Sequence, residues 1–410
     1  MLNRPTGVLE GIRIIDAGQW LAGTGAGAML GCLGAETIKI EDPVRGDSYR
    51  GMAAQYGERV SVKGRHIGFE TANLNKKSIT LDLNRDEGRQ ILYELVAKSD
   101  IFHTNATTRT RKKLGMVYDI LKRHNPRLIY AVTTTYGSKG TLSDQRGFDT
   151  IAQAHSGIMW TTGDSDYDEP MMISGALFDQ GTAGIVAFAM VCALQARDRL
   201  GIGQEIHVSL LGTAFFLNAW NVNMTLLRGR PMGRYRRRTA PNPIANNYCC
   251  ADGKWLMLAE PQSQRFWAEA CQLLGLSNSV DDPRFATAAD RSKNCTELIG
   301  ILAGTLATRA RDEWVGIFRA GGARFSFAPI FDTIEAVQDP QPLANDYVVD
   351  FDHPAMGKVK LAGFPVSFSE TPAYIRQEAP EHGQHTEEVL TGVLGYDWDR
   401  ISKLRTEGII

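Results

Sequence analysis

Apolar residues in the first third of the chain gather in short runs, and stretches of helical spacing separate those runs. Gly11-Ile-Arg-Ile-Ile-Asp16 and Glu36-Thr-Ile-Lys-Ile-Glu41 read as buried strands, with a glycine- and alanine-rich helix from Ala22 to Leu33 between them. A polar loop runs on to about Lys77. Ser78-Ile-Thr-Leu-Asp82 is a third strand, followed by an amphipathic helix from Asp86 to Lys98. Asp100 to His103, a basic helix reaching Leu121, and Leu128 to Thr133 repeat the strand–helix–strand step. Such alternation predicts a mostly parallel sheet with right-handed crossovers. Met171 to Gly184 reads as a strand end, a tight glycine turn and one acidic residue, Asp179, ahead of an apolar helix from Ile185 to Ala196.

After Trp220 the pattern changes. Leu227 to Arg238 is a basic, glycine-containing linker, and Asn247 to Leu258 reads as a hairpin turning on Asp252-Gly253. Helical spacing recurs at Gln264–Leu274, Cys295–Leu306 and Arg311–Arg319. Phe325–Ile330 is strand-like, Tyr347–Phe351 and Lys358–Leu361 suggest a second hairpin, and Thr386–Leu394 and Trp398–Arg405 are closing helices. A chain of 410 residues is too long for one average core. The expected division is a large α/β domain from 1–224, a smaller α+β domain at 225–325, and a segment at 326–410 that returns to the large domain.

Composition narrows the classes. The formal net charge of −1 argues against general attraction to nucleic acid or anionic membranes. No apolar run reads as long enough to cross a bilayer, and Met1 to Gly7 has no signal-peptide hydrophobic stretch. Cys32, Cys192, Cys249, Cys250, Cys271 and Cys295 follow neither a metal spacing nor a disulfide framework. They read as reduced, buried thiols of a cytoplasmic protein.

Asp179 is the leading chemical candidate. The free N–H groups and partial positive charge of a helix start favour its ionised form and offer donors for an oxyanion. Two readings stand open: a helix cap, or a carboxylate nucleophile that forms a mixed anhydride in acyl transfer. Gly23-Thr-Gly-Ala-Gly-Ala28 with Glu41 looks like a dinucleotide fingerprint, but the first strand ends at Asp16, too early for the tight turn that motif needs. Its small residues are read as packing the helix on the sheet, with no NAD or flavin. Arg109, Arg111, Lys112 and Lys113 offer charge for phosphates, or only a solvated helix face. One of Arg236, Arg237 and Arg238 is a candidate receiver of a distal substrate carboxylate. His382 and His385 form an HxxH pair without an obvious third ligand, so they read as a helix start and not a metal site.

Several segments sit in a telling order: Ala22-Gly23, Leu33-Gly-Ala35 with Ile38-Lys-Ile-Glu41, Asn75-Lys-Lys-Ser78, Asn125-Pro-Arg-Leu-Ile-Tyr130, Asp149-Thr-Ile-Ala-Gln-Ala-His-Ser-Gly157, Ser174-Gly-Ala-Leu-Phe-Asp179 and Gly201-Ile-Gly-Gln204. In order and spacing the chain resembles the family III CoA-transferases, the group that includes formyl-CoA:oxalate CoA-transferase and the carnitine-pathway CoA-transferase. The resemblance covers nearly the whole chain and is strongest before residue 210.

That resemblance implies a Rossmann-like large domain with an inserted smaller α+β domain, in an interlocked, ring-like homodimer. It implies Asp179 as the catalytic nucleophile, passing through an aspartyl anhydride and an aspartyl-CoA thioester. It implies Ala22, Leu81, Asn105, Arg111, Lys113 and Arg146 as contacts to coenzyme A, the substrate, and Leu21 and Phe148 in the substrate pocket. Acyl-CoA and a carboxylic acid are then the partners, with no metal, nucleic acid or membrane. Leu21 stands where the oxalate enzyme has a glutamine, Asp42 and Asn84 replace basic contacts, and Pro241 to Asn247 fills the place of its tetraglycine lid. These departures argue against oxalate. Two alternatives are a 2-methylacyl-CoA racemase on the same fold and a non-catalytic CoA-binding protein. Racemases carry a proton-transferring histidine at the position of Phe148, and phenylalanine moves no proton. His155, a little further on, reads as a structural histidine.

Overall fold

The computed structural model describes residues 7–55 and 57–410; the stretch before Gly7, part of that read for a signal peptide, lies outside them. Six strands form one parallel sheet: β1 Arg13–Asp16, β2 Glu36–Glu41, β3 Lys76–Thr80, β4 Ile101–Thr104, β5 Ile129–Thr134 and β6 Gln204–Ser209. Their order is β6-β5-β4-β1-β2-β3. The helices that bear on the site are α1 Gly25–Cys32, α2 Asp86–Ala97, α3 Asp149–His155, α4 Leu177–Leu200, α5 Leu210–Leu217 and α6 Ala219–Arg228.

Alternation along the strands builds a core on each face of the sheet. Ile14, Ile101, Ile129 and Ala131 pack with Ala26 and Leu30 of α1 and with Val186, Met190 and Leu194 of α4. Their neighbours Ile15, Phe102, Tyr130 and Val132 pack with Ile91, Leu92 and Leu95 of α2 and with Ile401 and Leu404 of the closing helix Trp398–Thr406. The glycines of the dinucleotide-like stretch serve this packing. A Cβ on Gly25 would stand 3.0 Å from Ala183 Cβ, and one on Gly27 2.9 Å from Thr37 Cγ2.

Several expectations need correction. The basic helix divides into Thr108–Lys113 and Tyr118–His124, broken where Gly115 takes φ +70°. The polar loop holds a helix, Ile67–Asn73, and two small hairpins. β6 was missed because Gln204-Glu-Ile-His-Val-Ser209 alternates polar and apolar residues on a half-exposed edge. α4 runs for 24 residues, twice the apolar core read from sequence, and is long and apolar enough by length and composition to cross a membrane. One face of it lies on the sheet, as the core helix of an α/β protein does. Cys192 and Cys249 are exposed; all six thiols are free.

The chain divides into two compact units, one of the segments through Met159, Met172–Pro231 and Ala344–Ile410, the other of Trp160–Met171 and Met232–Leu343. Against the boundaries read from sequence, the second unit takes in 160–171 and continues to Leu343. It has its own antiparallel sheet of β7 Ala245–Cys249, β8 Trp255–Ala259 and β9 Phe327–Ile330, in that order. Gly253 turns the first hairpin at φ +75°. Tyr248, Trp267, Leu302 and Phe318 lie in its separate core.

Candidate active site

A parallel sheet leaves a crevice at the carboxyl edge where neighbouring strands send their chains in opposite directions, and ligands bind there. Here β1 leads out towards β2 while β4, its other neighbour, leads out towards β5. A cavity of about 720 Å³ opens at that place, within the size range of ligand pockets. Residues following every strand from β1 to β5 line it: Ala17, Trp20 and Ala22 after β1, Asp42 and Arg45 after β2, Leu81 after β3, Asn105 after β4 and Thr135 after β5.

Of the residues singled out in the sequence, Ala22, Leu81, Asn105, Lys113, Arg146, Phe148 and Asp179 all line this cavity. Leu21 and Arg111 do not. Leu21 is buried in an apolar cluster with Tyr49, Phe69 and Ala176. Arg111 is buried too, donating to the Ala106 carbonyl and to the hydroxyls of Tyr130 and Thr108. Its place near three other cations in the sequence hid an inward-facing side chain. Asn105 lines the cavity while its amide is engaged on the backbone of Gln19, accepting its N–H at 3.0 Å and donating to its carbonyl at 2.9 Å.

Asp179 lies in the first turn of α4 and is half-buried. It is not the cap. Asp149, at the start of α3 and 2% exposed, accepts the N–H groups of Phe178 at 2.7 Å and Asp179 at 3.1 Å. Of the N–H groups at the helix start that the sequence offered to an oxyanion, these two are therefore taken. Gln153, one turn along α3, also binds the Asp149 carboxylate and clasps Ile173, accepting its N–H at 2.9 Å and donating to its carbonyl at 2.8 Å. This side-chain amide replaces a strand partner, and no strand forms at Met171–Ile173. Gly175 and Ala176 turn the chain into α4 at φ +88° and +52°, the second a left-handed conformation that an alanine adopts only under constraint.

The electrostatic consequence reverses the expectation of a low pKa. Burial first, and the like charge of Asp149 second, push the Asp179 carboxyl up to about 7. Near neutral pH such a group ionises readily, and a carboxylate of higher pKa is a better nucleophile than an ordinary one.

The loop after β1, which lines the same cavity, is held by buried charges. Lys39 and Asp47, both fully buried side chains, pair at 2.7 Å. Lys39 Nζ donates to the Gly18 carbonyl at 2.8 Å, and Asp47 Oδ1 accepts the N–H of Trp20 at 3.3 Å. Lys76 pairs with Asp16 at 2.7 Å beside them, and Asp16 Oδ1 accepts the N–H of Gly18 at 2.9 Å. Sequence reading missed these four residues: Asp16, Lys39 and Lys76 lie in strands and Asp47 in a loop, and a charged residue signals burial only once its partner is known.

The remaining candidates fall elsewhere. His155 is exposed, edge-on to Tyr136, and does not line the cavity. Arg236 and Arg238 lie beside Asp166, at 2.8 and 3.6 Å, and Arg237 stacks over Trp255. His382 Nε2 meets the Asp42 carbonyl at 2.9 Å, and His385 Nδ1 accepts the N–H of Ser78 at 3.2 Å. Both histidines thereby fasten the C-terminal segment to the edge of the sheet.

Comparison with known proteins agrees with this geometry. The chain is 33% identical to an acyl-CoA transferase of Fusarium pseudograminearum, over 98% of this chain and 88% of that one. It is 32% identical to a succinyl-CoA:glutarate CoA-transferase of Mus musculus, over 98% and 90%. The crystal structure of a CAIB/BAIF family protein from Brucella suis superposes with a TM-score of 0.82 at 28% identity, covering 95% of this chain and all of that one. The family model described as CoA-transferase family III matches residues 9–386, and the chain belongs to that family.

Proposed function

We propose that this enzyme moves CoA from an acyl-CoA donor to a carboxylic acid acceptor through covalent intermediates on Asp179. One observation carries the reading: a half-buried carboxyl with its pKa near 7 faces a cavity rimmed by Lys113, Arg146 and Arg45. The cations suit the phosphates of CoA. Arg45 was passed over in the sequence; Asp42 holds it at 3.1 Å, and it supplies a positive charge three residues beyond the basic position that Asp42 replaces.

In the proposed cycle an Asp179 oxygen bonds to the thioester carbonyl carbon and CoA leaves as thiolate, giving an aspartyl anhydride. The thiolate attacks the aspartyl carbonyl and expels the donor acid as its carboxylate. The acceptor carboxylate attacks the resulting aspartyl-CoA thioester and forms a second anhydride. The released thiolate then takes the new acyl group and frees Asp179. Asp149 and Gln153 keep the turn rigid throughout, and no redox change occurs. Phe148 in place of a proton carrier, and His155 outside the cavity, favour transfer over racemisation. A non-catalytic CoA-binding protein would have no need of a carboxyl so perturbed.

An exposed apolar face on α4, α5 and α6 supports the homodimer. Phe188, Phe216, Trp220 and Leu227 lie bare on it, Trp220 at 78%. Replacing Trp220 and Leu227 together by Glu should give monomers by analytical ultracentrifugation. A cytoplasmic setting accords with the six free thiols.

The test of the reaction is trapping. Acyl-CoA without acceptor, quenched with hydroxylamine and mapped by mass spectrometry, should place a hydroxamate at Asp179. Modification elsewhere, or transfer that survives Asp179→Ala, rejects the proposal.

A further inference from the structure

We infer that Trp20 and Phe148 form an aromatic wall for the acyl group, so that this enzyme favours acids with an apolar, ring-sized tail over dicarboxylates. The inference rests on the transferase reading of Asp179. Whatever is attached to the reacting carbonyl must lie in the cavity that Asp179 lines, and two rings line it as well. Trp20 packs against the apolar cluster that contains Ala176, three residues before Asp179. Phe148 adjoins Asp149, whose carboxylate holds the Asp179 N–H. The rings meet edge to face, centroids 5.3 Å apart at 85°, and both line the cavity. Phe148 is 54% exposed, so its ring offers a free surface to a third.

Trp20 is held there against its own preference. Its φ is +61°, rare for a bulky residue, and the buried Lys39–Asp47 pair maintains it through the Trp20 N–H and the Gly18 carbonyl. Tyr49, whose N–H binds the same Asp47 oxygen, backs the indole at 5.2 Å. A strained conformation maintained by three other residues, Lys39, Asp47 and Tyr49, at a cavity edge points to a ring placed for contact. The cations of the cavity do not suit a second carboxylate as well. Arg45, already held by Asp42, and the exposed Lys113 and Arg146 are the charges that the phosphates would need.

The experiment measures binding and transfer separately. The full-length Asp179→Asn variant, unable to turn over, is titrated calorimetrically with 3-phenylpropanoyl-CoA, acetyl-CoA and glutaryl-CoA. The phenylpropanoyl thioester should bind about tenfold or more tightly than either of the others. That advantage should fall to within about threefold when Trp20→Gly or Phe148→Ala is added. Glycine takes φ +61° without strain, so Trp20→Gly removes the ring and keeps the loop. Equal affinities, or preference for glutaryl-CoA that Arg146→Ala abolishes, overturn the wall. If the ring-dependent preference holds while the unmutated enzyme transfers CoA between no pair of acids, the wall stands and the transferase reading falls. If transfer occurs without the preference, the reverse follows.

Discussion

Asp16 and Asp179 are both carboxyls withdrawn from water in the same unit, and their surroundings drive them in opposite directions. Burial works to raise Asp16, but Lys76, Lys39 and His103 outweigh it and hold the group below its ordinary value. Among the described residues no cation offsets the burial of Asp179, and the one charge that acts on it is another carboxylate, Asp149. The first is locked as an anion, short of lone pairs to offer and tied to the floor of the site. The second is left to ionise near neutral pH. The difference lies in pairing and not in depth, since Asp16 is the more deeply buried of the two.

The largest test of that contrast removes each group. Asp179→Ala should lower transfer on the order of 10³-fold or more with little loss of stability, read in a coupled assay beside a thermal melt. Asp16→Asn should do the opposite. It strands the Lys76 ammonium in the interior and should cost about 3–5 kcal/mol in denaturant unfolding. Comparable activity losses in the two variants, with equal stability, would erase the distinction.

Next in size is the pH profile. Attack needs the ionised carboxyl, so kcat/KM should rise with pH through about 7 and level off above it. Asp149→Asn keeps an oxygen for the Phe178 and Asp179 amides but removes the like charge, and the midpoint should move to lower pH. Asp149→Ala should leave the midpoint lowered and in addition cost about 0.5–2 kcal/mol of stability through the lost cap. A midpoint unmoved by both changes would mean that Asp149 acts by geometry alone.

The smallest effect is on stability. Asp179 has a folded pKa above its ordinary 3.8, so the folded state binds its proton more tightly than the unfolded chain does. Stability from this group is therefore fullest at low pH and declines as the pH rises through about 7. Asp179→Asn, which cannot ionise, should melt higher than the parent at pH 8 and gain less at pH 5. Asp16 has the opposite sign: its lowered pKa lends stability above 3.8 that is lost as the pH falls further.

The amino-acid order by itself determined the strands β1 to β5, the mostly parallel sheet, the family, and the one carboxylate on which the chemistry is proposed to turn. Those features are local or repetitive: apolar runs, helical periods, glycines spaced for close packing, motifs in a fixed order. The tertiary structure decided what each charged residue does. Nothing near Asp179 in sequence announces that Asp149, thirty positions earlier, caps its helix and raises its pKa. Arg111 and Lys113 look alike in the chain, yet one is spent on a buried tyrosine and the other faces the cavity. Electrostatic character depends on solvent exclusion and on partners brought together by folding, and neither has a period that a sequence can display.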